Sequence, residues 1–323
     1  MGLPYSEGNA GANWTLRNRL QINGESSMKK KAVIRGFMVM FALMGFILVA
    51  SAGSADAAGP RRTQLTLSLR GLEDLGPGWA YEGWVITGGR PVSTGTFTID
   101  ENGELSQRKF NVNVSRSSSK TFVLTIEPSP DPDPAPSATH VLAGKIRGNR
   151  GFLRTFHPAA LGTRFDQAGG SFILGVPTDQ SGATPYSHGI WFLDPAAGPG
   201  PSLDLPELPA GWRYEGWVVG PNGPISTGTF LSVAGGDSDG GGPYAGPDAA
   251  PPFPGQDFVN PAMSLLGYSA VISIEPYPDN SPAPFAFKPL VLPAIQDPGG
   301  PGILQELQNN AANSLAAGVV RIR

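Results

Sequence analysis

Gly-Trp-Ala-Tyr-Glu-Gly-Trp-Val, from Gly78 to Val85, continues to Pro-Val-Ser-Thr-Gly-Thr-Phe from Pro91 to Phe97. The same stretch returns 133 positions later. Gly-Trp-Arg-Tyr-Glu-Gly-Trp-Val runs from Gly211 to Val218, and Pro-Ile-Ser-Thr-Gly-Thr-Phe from Pro224 to Phe230. Thirteen of the twenty positions match without a gap, and four of the six Trp fall at matching places. A match of this length means that one supersecondary unit was used twice.

The repeat extends outward. Leu72 and Leu75 match Leu205 and Leu208, and Ile126-Glu-Pro128 matches Ile274-Glu-Pro276. The offset at this second block is 148, so copy two carries fifteen extra residues, which we place at Gly235–Phe258. Within the motif Trp79, Tyr81, Gly83 and Val85 share one face of an extended segment, and Ala80, Glu82, Trp84 and Ile86 the other. Thr87–Arg90 and Gly220–Gly223 are turn-like, so a hairpin follows each motif. Leu65–Leu69, Phe122–Ile126, Ser171–Val176, Gly189–Asp194 and Ala270–Ile274 read as further strands. Ile303–Ala317 reads as a short helix, followed by a strand at Val319–Ile322.

Gly (44) and Pro (33) make up about a quarter of the 323 residues. They punctuate apolar runs rather than replace them, which favours short strands over disorder. The expected fold is all-β: two tandem Greek-key-like β-sandwich repeats after an N-terminal signal helix. The first repeat is expected over 58–150, the second over 165–323, with the seam near 148–170 and a long acidic loop at 235–258. Two packed sandwiches, or one sandwich with a sheet from each copy, both satisfy the pattern.

Met28-Lys-Lys-Lys-Ala-Val-Ile-Arg35 is a basic n-region, Phe37–Ala50 an apolar stretch, and Ala55-Asp-Ala57 an A-x-A cleavage site. This is the order of a secretory signal peptide. Residues 1–57 are therefore an extension and leader, with translation expected to start at Met28 and cleavage after Ala57. An uncleaved anchor is the competing reading, although the apolar stretch is short for a ~30 Å hydrocarbon core. Either way the basic flank sends the C-terminal bulk outward, to the periplasm or the medium. Residues 58–323 hold 17 basic and 23 acidic side chains, a mildly acidic body with no basic run. Nucleic acid is not expected as a partner, and membrane contact is expected only through the signal or an anchor. The absence of cysteine excludes disulfides, thiolate sites and a lipoprotein anchor.

The motif residues carry a family likeness. Leu72, Leu75, Tyr81-Glu-Gly-Trp84, Gly95-Thr-Phe97, Ile126-Glu-Pro128 and Pro134-Ala-Pro136 resemble the extracytoplasmic C-terminal domain of anti-sigma-K factors. The pattern recurs from Leu205 to Pro284. The resemblance implies an exported β-module of sensing or interaction type, in tandem. Such factors hold a sigma factor with a cytoplasmic helical domain. About thirty residues before Ala32 are too few to fold as one, and the His/Cys motif of zinc-type anti-sigma factors is absent. Sigma binding is therefore not expected of this chain.

Tyr81, Glu82 and Trp84, with Tyr214, Glu215 and Trp217, are the candidate ligand-binding residues, as an aromatic platform for a sugar or peptide. The competing reading is that their rings fill the core. The carboxylate pairs Glu82/Glu127 and Glu215/Glu275 would suit a glycosidase if each lay about 5–10 Å apart across a cleft. The competing reading is that Glu-Pro ends a strand. Asp237, Asp239, Asp248 and Asp257 in the acidic loop are calcium candidates, since calcium takes six to eight oxygen ligands. The loop lacks the later Glu of an EF-hand. His140, His157 and His188 form no triad or metal spacing, and no Gly-x-Ser-x-Gly elbow is present. No catalytic residue and no cofactor are expected. The expected role is a non-enzymatic extracytoplasmic binding or sensing module that takes a protein or envelope component. The alternatives are a structural envelope protein and a carbohydrate-active enzyme.

Overall fold

The computed structural model describes residues 63–115, 120–196, 198–278 and 281–323. The leader and the cleavage site after Ala57 lie outside the described residues. The described residues belong to one compact unit, Ala57–Arg323. The first copy supplies β1 (Thr63–Arg70), β2 (Trp79–Thr87), β3 (Arg90–Phe97), β4 (Lys109–Val112), β5 (Lys120–Pro128), β6 (His140–Arg147) and β7 (Arg150–Arg154). Next come β8 (Gly169–Leu174), β9 (Gly189–Trp191) and the two-residue strands β10 (Leu193–Asp194), β11 (Gly200–Pro201) and β12 (Leu203–Asp204). The second copy of the motif forms β13 (Trp212–Gly220) and β14 (Gly223–Phe230), then β15 (Gly255–Asp257), β16 (Ser269–Pro276) and β17 (Leu290–Leu292). The chain ends in β18 (Leu304–Glu306), β19 (Gln308–Asn309), the four-residue helix α1 (Ala311–Ser314) and β20 (Ala317–Ile322).

The duplication is visible in the sheets. Copy one has the strand order β3-β2-β5-β6-β7, and copy two repeats it as β14-β13-β16-β17-β19. Every pairing in these sheets is antiparallel. In copy one the order continues through β20, β1 and β4 to give eight strands. This sheet curls on itself, because Phe97 of edge strand β3 meets Phe110 of edge strand β4 with ring centroids 5.9 Å apart. In copy two the opposing layer is a separate sheet of order β12-β8-β9-β15, with β18 also paired to β8. A single apolar core runs through both copies, from Leu65 and Tyr81 to Trp212, Ile272 and Val320. The fold is all-β with the character of a duplicated β-sandwich.

Two elements differ from the sequence expectation. The helix expected over Ile303–Ala317 is only Ala311–Ser314. Its flanks form β18 and β19, which pair with β8 and β17. The last strand does not stay with the copy that precedes it. β20 lies between β7 and β1, with Val320 opposite Leu67 and Gly151. The second stretch of chain thus closes the sheet of the first.

Candidate functional site

The conserved spacing of the two copies builds the same hydrogen-bonded network twice. In copy one Trp84 Nε1 donates to Thr125 Oγ1 at 2.9 Å, and the Thr125 hydroxyl donates to the Glu127 carboxylate. Glu127 also accepts the Ser137 backbone N–H at 2.9 Å. In copy two Trp217 Nε1 donates to Ser273 Oγ at 2.8 Å, Ser273 donates to Glu275, and Glu275 accepts the Phe285 N–H at 2.9 Å. The strand register explains the pairing. Gly83 of β2 stands opposite Leu124 of β5, and Gly216 of β13 opposite Ile272 of β16, which brings each Trp beside the hydroxyl one position on.

The other shared residues follow the same rule. The hydroxyls of Ser93 and Ser226 donate to Glu82 and Glu215. The same serine oxygens accept the N–H groups of Gly95 and Gly228, two glycines at φ near +99° and +98°. That left-handed conformation explains why Ser-Thr-Gly-Thr-Phe is retained whole. Tyr81 O–H donates to the carbonyl of Glu73 and Tyr214 O–H to that of Pro206, each eight residues back. Tyr81 stacks on Phe97 at 5.8 Å, and Tyr214 on Phe230 at 5.6 Å.

Tyr81, Trp84, Tyr214 and Trp217 are therefore interior side chains, all 2 % exposed or less. The aromatic platform is not formed at these positions. Trp84 points to the outer side of its sheet, where Ala159 and Ala160 cover it. Glu82 and Glu215 are buried as well, as are Glu127 and Glu275. Burial pushes the Glu82 carboxyl upward, opposed by the Ser93 hydrogen bond. Burial likewise raises the Tyr81 and Tyr214 hydroxyls far above the ordinary range. None of the four glutamates lines either of the two clefts described below.

The calcium candidates separate into three places. Asp257 is fully buried and accepts from the Thr178 N–H (2.8 Å), the Thr178 hydroxyl (2.6 Å) and Trp191 Nε1 (2.7 Å). Asp248 accepts the Gln180 N–H at 2.8 Å. These two acids pin the long loop to residues 178–180. Asp237 accepts the Gly255 N–H at 2.8 Å and lies beside Asp239, both over Gly228. No three metal-ligating side chains converge among the described residues. The loop is fastened by its acids.

Asp237 is pushed up to about 7, first by burial and then by the neighbouring Asp239 charge. The sign follows from linkage. A carboxyl whose folded value is raised stabilises the fold fully below the unfolded value, near 3.8, and that contribution is lost as pH rises through about 7. Asp237→Asn, which cannot ionise, is expected to flatten this loss. Melting curves at pH 4 and pH 8 should show the variant gaining stability relative to the wild type at the higher pH. An equal offset at both values would refute the assignment.

The largest difference between the copies lies at the first Trp. Trp212 is 1 % exposed and stacks on Phe287 at 5.8 Å. Its counterpart Trp79 is only half-buried and lines a narrow cleft of about 60 Å³ where the copies meet. Tyr277, Pro278 and Phe285 form the facing wall, with Glu73 and Asp74 on the near side. Tyr277 is 52 % exposed, and the Arg213 guanidinium sits 4.0 Å from its ring centroid. The sequence pattern could not have singled out this pair. Trp79 looks identical to Trp212 in the motif, and Tyr277 replaces Ser129 in a stretch read only as a strand end.

The fold and these residues define a class: a duplicated antiparallel β-module whose shared polar residues are structural and whose aromatic surface lies at the copy junction. Residues 48–140 match the family model described as Anti-sigma-K factor rskA, C-terminal. The matched segment covers the first copy of the motif through the Pro-rich turn after β5. No curated protein and no solved structure matches the chain.

Proposed function

We propose that the chain is an exported, non-enzymatic binding module that takes an extracytoplasmic protein or envelope component in the cleft between its two copies. The observation that carries this reading is the asymmetry of the first Trp. It is sealed in copy two, and in copy one it opens onto a cleft walled by Tyr277, Pro278 and Phe285. Half-exposed Trp and Tyr in a concave site are favoured anchors for a partner. The acidic side chains Glu73 and Asp74 suit a partner segment that carries basic and apolar groups.

The family match to residues 48–140 supports an extracytoplasmic, anti-sigma-factor-like module, and the basic-then-apolar leader supports export. Non-enzymatic action is supported by the use of all four repeat glutamates in internal hydrogen bonds.

The test uses the full chain expressed in cells. The mature N-terminus is expected at Ala58, and cross-linking in the envelope fraction is expected to give a defined adduct. Trp79→Ala and Tyr277→Ala should each lower the adduct yield at least about fivefold while leaving the melting curve nearly unchanged. Self-association alone, or adducts insensitive to both changes, would point to a structural envelope protein instead.

A further inference from the structure

Residues 58–323 contain no basic run, yet the fold assembles one. β6, β7, β20, β1 and β4 are neighbours in the eight-stranded sheet and contain no Asp or Glu. Their registers place Arg147 opposite Arg150, Arg150 opposite Arg321, Arg321 opposite Thr66, and Thr66 opposite Lys109. All four cationic residues are exposed. They form a row across five strands, about 20 Å long at the usual spacing of neighbouring strands. Four residues along the strands, Arg154 and Arg70 flank the small Ala317 in a second row.

Arg154 Nη1 donates to the Leu153 carbonyl at 2.9 Å, and the first row is turned to solvent. The salt bridge of Arg108 with Glu104 lies outside this set. Like charges directly opposite one another weaken an antiparallel pair, so the Arg147–Arg150–Arg321 row costs stability. The guanidiniums are also held in place. Arg150 and Arg154 lie over the Phe152 ring at 4.9 and 5.8 Å, and Arg164 over the Phe156 ring at 3.8 Å. Beside the second row opens a cleft of about 460 Å³, lined by Arg70, Arg154, Arg164 and Phe156, with Asp166 its one acidic residue.

We propose that this sheet face and its cleft bind an extended polyanion of the acidic-polysaccharide class, independently of the junction cleft. Guanidinium forks pair bidentately with carboxylate, sulfate and phosphate oxygens. Forks already stacked on rings lose little freedom when they do so. The row crosses the strands and ends beside a concave cleft, which suits a flexible chain better than a planar surface. Single-stranded nucleic acid would need open aromatic faces for its bases, and here guanidiniums occupy those of Phe152 and Phe156. A lipid surface would need an apolar wedge, and Phe152 is the only exposed large apolar side chain on these five strands.

The full chain can be tested on immobilised polygalacturonate and heparin, with duplex DNA and anionic phospholipid vesicles as parallel arms. Retention is expected on at least one polysaccharide, weakening steeply between about 50 and 200 mM salt as counterion release requires. The triple variant Arg147→Gln/Arg150→Gln/Arg321→Gln should bind at least about tenfold more weakly and with a shallower salt dependence. It should melt no lower than the wild type, since it relieves like-charge contacts. Arg90→Gln, an exposed cation elsewhere, should bind as the wild type does. Unchanged affinity in the triple variant, no retention at 50 mM salt, or binding confined to DNA or vesicles would overturn the proposal.

Discussion

Ending the chain after Ala316 is expected to abolish folding of the first copy, although every residue of that copy remains. The seven missing residues include β20, which hydrogen-bonds on both sides. Six residue pairs join it to β1 and five to β7. Its removal leaves two facing edges with unpaired N–H and C=O groups, each net hydrogen bond contributing about 0.5–1.5 kcal/mol. It also removes the buried side chains of Val320 and Ile322, at about 1.5–3 kcal/mol each. Leu65, Leu67 and Leu153, all 1 % exposed or less, would then meet water. Together these losses match or exceed the ~5–15 kcal/mol that holds an ordinary domain folded. Thermal melts followed by aromatic circular dichroism should lose their cooperative transition, and proteolysis should begin within 63–154. Adding a synthetic Ala317–Arg323 peptide in excess should restore protection, as strand addition to an open edge does. A truncated protein that melts within a few degrees of the full chain would show that β20 is dispensable.

That strand also marks where the sequence stops being legible. The period-two alternation located β2, β5, β13 and β16 because their neighbours are near in the chain and their pattern is strong. The 133-residue repeat gave the equivalence of the two meanders, which the strand orders bear out. The partner of Val319–Ile322 was not readable, because no local rule states which of several open edges a terminal strand will join. The helix expected over Ile303–Ala317 had helical propensity in Ala-Ala-Asn-Ser-Leu-Ala. Pairing of Leu304–Glu306 with β8 outweighs that propensity over its first half. For the candidate site the difficulty is different. A strand with Trp on both faces is compatible with a surface platform until something is known to cover the outer face. Here the cover is the loop at Ala159–Ala160, seventy-odd residues from Trp84 and without a pattern of its own. The basic face was hidden for the same reason. Its cations are scattered from Arg70 to Arg321, and only the sheet order brings them into one row.

Glu275→Ala is expected to cost the second copy about 1–3 kcal/mol for each buried donor it leaves poorly paired. The carboxylate is 1 % exposed and accepts from the Ser273 hydroxyl and from the Phe285 N–H through both oxygens. Ser273 is in turn the acceptor for Trp217 Nε1. Removing the carboxylate leaves the Phe285 N–H without an acceptor in a dry interior, at about 1–3 kcal/mol, and leaves Ser273 only the Glu215 carbonyl at 3.4 Å. It also leaves a cavity beside Phe285, which packs edge-on to Phe287 at 5.0 Å. Glu275→Gln keeps one acceptor oxygen and the shape, so it should cost markedly less. Trp217→Phe added to Glu275→Ala should cost much less than the two single losses combined, because both act on one chain of hydrogen bonds. Denaturant unfolding of the four proteins decides the matter. Near-neutral behaviour of Glu275→Ala would mean that the carboxylate is not structural and would reopen a chemical role for it. The matching change Glu127→Ala should destabilise the first copy for the same reason, since Thr125 and Ser137 stand in for Ser273 and Phe285 there. A large effect in both copies would tie the retained Glu-Pro motif to folding, which is what an identical network in two separately placed sheets requires.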